Sequence, residues 1–165
     1  MKDTAYTSLA LAAHTDTTYF TDPAGLQMFH LLSHTSGNGG ASLLVDGFHA
    51  ADVLYKEDPG AFATLAQTPI PFHASGNLGI TITPSRKYPV LQRGQRHTDS
   101  RLSLVRWNND DRGTVPLNLD QGSSLQWYAA ARKWNDILKR QNMEYWEQLV
   151  PGRPLSSFDP DVLEI

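Results

Sequence analysis

Trp127, Ala131, Trp134 and Leu138 recur at alternating intervals of four and three residues, and no other pattern in the chain constrains its fold as strongly. That spacing puts all four on one stripe of an α-helix. An aromatic stripe of this kind has to be buried against other elements, and it reads as core packing rather than as a ligand site. Ser123, with Gln126 three positions later, predicts the start of this helix as a capping box.

Everything around the stripe is short. Residues 5–14 alternate small and apolar side chains and read as a strand or hairpin, and Asp22-Pro23-Ala24-Gly25 as a turn. Residues 26–32 then read as a buried strand, residues 36–40 as a loop and residues 42–45 as a short strand. Helices are expected over residues 49–55 and 60–66. Prolines interrupt residues 68–73, which places that strand at a sheet edge. Residues 76–100, rich in Gly, Pro and Arg, read as a long surface excursion, and residues 102–107 alternate again. Short strands, one long helix and many turns predict a mostly β barrel or sandwich with helices.

At 165 residues, with 40% hydrophobic and 19% charged residues, the chain fits one globular domain. A net charge of −3 gives no electrostatic attraction to nucleic acid. There is no cysteine, so any metal must be held by His, carboxylate or water. The apolar runs are too short for a bilayer, so no membrane partner is expected. Met1-Lys2-Asp3-Thr4 opens neither a secretory signal nor an Arg-rich transit peptide, which predicts a cytoplasmic protein.

His14-Thr15-Asp16 sets an imidazole and a carboxylate two residues apart. On a strand those side chains point the same way. They supply two members of a 2-His-1-carboxylate facial triad, the open-sided arrangement of Fe(II) oxygenases. The tripeptide is a weak signal alone, because His97-Thr98-Asp99 repeats it among arginines, in a segment that reads as solvated loop. On local sequence, His14 reads equally well as a ligand or as a hydrogen-bonded core histidine. As ligands, His14 and Asp16 should bring their donor atoms within about 2–4 Å of each other, as bonds near 2 Å to one metal demand.

The surroundings of the first copy carry a resemblance. Asp3 to Leu11 run into His14-Thr15-Asp16-Thr17-Thr18-Tyr19-Phe20, and Pro23-Ala24-Gly25-Leu26-Gln27 precede Phe29-His30. Gly39-Gly40, Leu44-Val45-Asp46-Gly47-Phe48 and Arg106-Trp107-Asn108-Asn109-Asp110-Asp111-Arg112 follow in order. This set resembles the trimethyllysine and γ-butyrobetaine hydroxylase family of TauD/TfdA-like Fe(II)/2-oxoglutarate dioxygenases, up to Pro154.

The resemblance implies a double-stranded β-helix (jelly-roll) core, present here as a partial catalytic domain over residues 1–165. It implies Fe(II), 2-oxoglutarate as cosubstrate, ascorbate, and hydroxylation of a small trimethylammonium substrate in carnitine biosynthesis. His14 and Asp16 would be iron ligands. Tyr6 would be one wall of an aromatic cage, which suits a quaternary ammonium that cannot donate a hydrogen bond. Eight residues of straight strand would separate Tyr6 from His14 by about 26 Å, so the chain must fold back near Ser8. Asn108 would bind the polar end of the substrate, Ser42 would offer its hydroxyl to 2-oxoglutarate, and Phe29 would lie near the same pocket. Asp3 stands where trimethyllysine enzymes carry an acid, and a carboxylate there attracts an α-ammonium and repels the bare carboxylate of γ-butyrobetaine. Full-length relatives are expected to be homodimers, and an upstream transit segment would make the location mitochondrial.

The family pattern continues with a distal histidine ligand and an arginine for 2-oxoglutarate. Here Pro151-Gly152-Arg153-Pro154 leads instead to Ile165 without another histidine. The expectation is therefore a chain that is inactive as it stands, with a non-catalytic remnant as the alternative.

Overall fold

A computed structural model describes residues 10–37, 39–74, 79–94, 102–115, 120–157 and 162–164. In chain order, β1 (Gln27–Phe29) and β2 (Ala41–Asp46) precede helices α1 (Gly47–Glu57) and α2 (Pro59–Gln67). Next come β3 (Leu91–Arg93), β4 (Leu102–Val105) and the long helix α3 (Gln121–Leu138), followed by β5 (Glu144–Gln148), β6 (Leu155–Ser157) and β7 (Val162–Glu164).

Aspartates set the helix starts. Asp46 accepts the amide of His49 at 2.8 Å, and Asp58 that of Ala61 at 2.9 Å, with Pro59 pre-set for the first turn of α2. Asp58 also closes α1, its own amide reaching Leu54 O at 2.8 Å, and holds Lys133 of α3 at 3.0 Å. At α3 the cap is Asp120, three residues before the serine expected there. Its carboxylate takes both the Ser123 amide at 2.9 Å and the Ser123 hydroxyl at 2.6 Å. A carboxylate at this position also meets the positive end of the helix dipole, so it displaces the serine from the capping role.

The stripe on α3 is buried as expected. Trp127 and Trp134 are 0% exposed, and Ala131 and Leu138 join them beneath α1 and α2. Trp107 meets Trp134 edge to face, with ring centroids 6.5 Å apart. This contact matters because Trp107 lies two residues past β4 and beside the His14-Thr15-Asp16 motif.

The strands of the described residues form three small antiparallel sheets: β5-β2-β7, β3-β4 and β1-β6. In β2, Leu43 and Val45 turn into the core while Ser42 and Leu44 take the opposite face. Two expectations for this layer need correction. Residues 26–32 were expected to form a buried strand, but only β1 pairs, with β6, and Leu26, Met28 and Leu32 are 60%, 65% and 84% exposed. A two-stranded ribbon has no second layer to cover its apolar side chains. The excursion over residues 76–100 is not all surface either. Tyr88, Val90 and Leu91 are buried, because the apolar Val90-Leu91 step feeds β3 into its pairing with β4.

Residues 68–73 also sit deeper than an edge. Ile70 bridges Tyr88 and Phe72 bridges Arg112, and both side chains are buried. Pro69 and Pro71 are tolerated because Ile70 and His73 supply the donors, while Pro71 only accepts, from Gly113 N at 2.8 Å. With such segments reduced to single bridges, the described residues hold more helix than strand, against the mostly β expectation.

One buried charge ties this framework to the site. Arg106 is 1% exposed and donates to the carbonyls of Thr18, Phe20 (2.7 Å) and Thr21 (3.3 Å). Its guanidinium lies 4.3 Å from the Tyr88 ring centroid and 5.7 Å from that of Phe72. Burial pushes its pKa down to about 10, so it remains charged at neutral pH. Arg106→Met removes the donors and leaves those carbonyls facing an apolar side chain. At about 1–3 kcal/mol for each buried unpaired group, we expect a loss of about 3–5 kcal/mol in urea denaturation.

Candidate functional site

Residues 14–18 pass from an extended segment into a tight turn, and each side chain has an assigned direction. Thr15 N donates to Trp107 O at 2.7 Å, and Trp107 N donates to the Thr15 hydroxyl at 2.9 Å. Thr15 is thereby drawn inward to 3% exposure. With Thr15 inside, His14 and Asp16 point to the other face. Thr17 then adopts a left-handed backbone, φ 53°, which is rare for a β-branched residue. Its hydroxyl takes the Ala24 amide at 2.9 Å, and Arg106 holds the next carbonyl, so one contact across seven residues and one across 88 enforce the turn.

His14 Nε2 and Asp16 Oδ1 lie 3.4 Å apart, within the separation expected of two ligands to one metal. The outer atoms of both side chains are occupied. His14 Nδ1 meets Ala12 O at 2.8 Å, which makes Nδ1 the protonated nitrogen of the neutral ring and leaves a lone pair on Nε2. Asp16 Oδ2 accepts from Gln27 Nε2 at 2.6 Å, which leaves Oδ1. One imidazole nitrogen and one carboxylate oxygen, each backed by a second hydrogen bond, fit a divalent first-row metal. Among the described residues, no third His, Cys, Asp or Glu joins them in a metal-holding group.

The pair lines a cavity of about 630 Å³. Asn108, Asp111 and Tyr19 line it too, together with Tyr128 and Arg132 of α3. Asn108 is fixed at both ends of its amide, donating to Asp111 Oδ2 at 3.2 Å and accepting from Asp110 N at 3.0 Å. The Thr18 hydroxyl donates to the same Asp111 oxygen at 2.9 Å. Burial raises the Asp111 pKa, with Thr18 and the neighbouring His14 and His73 acting against it. Arg112 stacks on Trp127 and Tyr128, 5.5 and 5.6 Å from the ring centroids, and so pins this loop to α3.

Of the expected site residues, His14, Asp16 and Asn108 share the cavity. Ser42 does not line it, nor the adjoining apolar cavity of about 200 Å³, where its neighbour Leu43 faces inward. Asp3 and Tyr6 lie outside the described residues, as do His97 and Asp99. Gln27, Arg106 and Asp111 were assigned no role from sequence, although each stands within a motif that carries the family resemblance.

The model of the taurine catabolism dioxygenase TauD, TfdA family matches residues 1–153. A trimethyllysine dioxygenase of Neurospora crassa is 49% identical over 94% of this chain and 39% of its own length. The human gamma-butyrobetaine dioxygenase is 28% identical over 90% of this chain and 37% of its own. The chain thus spans about two fifths of the length of these curated relatives. Among solved structures, an asparagine oxygenase in complex with Fe(II), 2S,3S-3-hydroxyasparagine and succinate superposes with a TM-score of 0.67. That match has 15% identity and covers 93% of this chain and 42% of the other, so it speaks to the fold alone.

The site has a signed pH dependence. The His14 hydrogen bond lowers the Asp16 pKa below 3.8, with burial opposing and Gln27 assisting. Burial lowers that of His14, but hydrogen bonds to Asp16 and Ala12 and the charges of Asp16 and Asp111 together raise it above 6.5. The Asp16 contribution is therefore complete above 3.8 and lost as pH falls through its folded value. The His14 contribution is complete below 6.5 and lost as pH rises through its folded value. In metal-free protein, the stability difference between the parent and His14→Gln should be larger at about pH 5.5 than at about pH 8.5. Urea denaturation at the two pH values measures it.

Proposed function

The chain belongs to the TauD, TfdA dioxygenase family, and from that premise we propose that it is the ligand-bearing part of a trimethyllysine hydroxylase's catalytic core. The observation that carries the reading is the convergence of His14 Nε2 and Asp16 Oδ1 at 3.4 Å on the wall of a cavity that also holds Asn108. These two atoms would hold one Fe(II), with 2-oxoglutarate as cosubstrate and ascorbate keeping the iron reduced. When bound, the iron supplies the activation of dioxygen, one oxygen atom going to a C–H bond and the other to succinate as CO2 leaves. We read β5-β2-β7, with the helices packed on it, as part of a double-stranded β-helix, and residues 1–165 as one partial catalytic domain.

The chain's own residues orient and sort. The Ala12 carbonyl keeps the His14 proton on Nδ1, so that Nε2 is the donor. Asn108, held by Asp110 and Asp111, keeps one amide N–H and one oxygen lone pair for the polar end of a substrate. Asp3 would take the α-ammonium, and Tyr6 would face the trimethylammonium group. The higher identity to the Neurospora crassa relative than to the γ-butyrobetaine enzyme supports trimethyllysine as the substrate.

A segment exchange tests this reading. The chain replaces the matching segment of the Neurospora crassa relative, and succinate formation is followed with Fe(II), ascorbate, 2-oxoglutarate and either trimethylammonium substrate. We expect trimethyllysine-dependent turnover, abolished by His14→Ala, and none from the 165-residue chain alone, whose described residues bring together two ligands where three are usual. Preference for γ-butyrobetaine would assign the sister reaction. A folded but inactive exchange protein would leave the chain as a non-catalytic remnant.

A further inference from the structure

We propose that Gln27 is the positioning residue of the metal-holding pair, its amide fixing the Asp16 carboxylate so that one oxygen, Oδ1, is presented beside His14 Nε2. The proposal rests on the reading of His14 and Asp16 as metal ligands. Asp16 is 44% exposed in its side chain, and a carboxylate at such a place has a soft terminal torsion that leaves both oxygens free to turn. Gln27 Nε2 removes that freedom by donating to Oδ2 at 2.6 Å. The result is an oriented, single-oxygen donor, which an open-sided site needs if its remaining positions are to stay available.

The chemistry of the donor matters as much as its reach. A lysine or arginine in place of Gln27 would bring a positive charge to Asp16 and compete with a metal cation for it. An amide donates the hydrogen bond and leaves the carboxylate's charge intact. The backbone presents Gln27 from outside the motif turn. In β1, Gln27 pairs with Ser157 of β6, and strand alternation sends Met28 outward to 65% exposure while Gln27 turns toward Asp16. β6 lies beyond residue 153, so the support of this residue comes from outside the part that matches the family.

Mn(II) is the probe, and its binding to the chain is followed by electron paramagnetic resonance of the free ion. Gln27→Met keeps length and strand packing but lacks the donor. We expect it to weaken Mn(II) binding by about 10- to 100-fold with an unchanged melting temperature. Equal affinity in the parent and Gln27→Met overturns the positioning role and leaves the metal site standing. A parent that binds Mn(II) no better than His14→Ala overturns the metal reading and the positioning role with it. If Gln27→Met fails to fold, the side-chain amide resonances of Gln27 in the 15N-labelled parent decide. They should lie away from the free-amide position and return toward it in Asp16→Ala, and an amide that ignores Asp16 overturns the proposal.

Discussion

The buried guanidinium of Arg106 is the contact on which the rest of the site depends. A charge at 1% exposure is expensive, and among the described residues this one is held by three backbone carbonyls and two aromatic faces, with the charge of Asp22 in support and Nε left unpaired. Those carbonyls belong to residues 18, 20 and 21, the turn that follows the His-x-Asp motif. The same arginine follows β4 directly and precedes Trp107, whose backbone holds Thr15. Two adjacent residues therefore grip the motif from both sides, one at its centre and one at its exit. Left-handed Thr17 sits between the two grips, and the strain it carries is the local cost of a sharp exit.

The tryptophan stripe carries this order into the protein. Trp134 is packed on Trp107, and Trp127 lies against Arg112, so both ends of the segment from Arg106 to Arg112 are seated on α3. A single helix face thus sets the height of the His-x-Asp motif and of the Asn108 loop together. The cavity between them is a consequence of that seating rather than of any one loop.

What was legible in the sequence follows from range. Helical period exposed α3, and strand period put His14 and Asp16 on one face, because both are properties of neighbours in the chain. The burial of residues 26–32 was misjudged because apolar composition cannot say whether a second layer exists to cover a strand. The capping serine was misplaced because a stronger acceptor, Asp120, stood one turn upstream. The contacts that make the site specific were beyond such reasoning. Gln27 reaches Asp16 across 11 residues, Arg106 reaches Thr18 across 88, and Thr18 reaches Asp111 across 93. Family motifs marked all of these positions but assigned none of the pairings. Ser42 shows the converse, a residue marked by analogy whose strand face turns away from both cavities.

Asp58 joins three structural tasks in one side chain and its backbone: it ends α1, caps α2 and holds Lys133 of α3. Its pKa is lowered chiefly by the Ala61 amide and then by Lys133. As acid protonates this carboxylate, the cap and the tether weaken in the same titration step. The start of α2 and its tether to α3 therefore respond to acid together, whereas the end of α1, closed by a backbone amide that does not titrate, stays as it is.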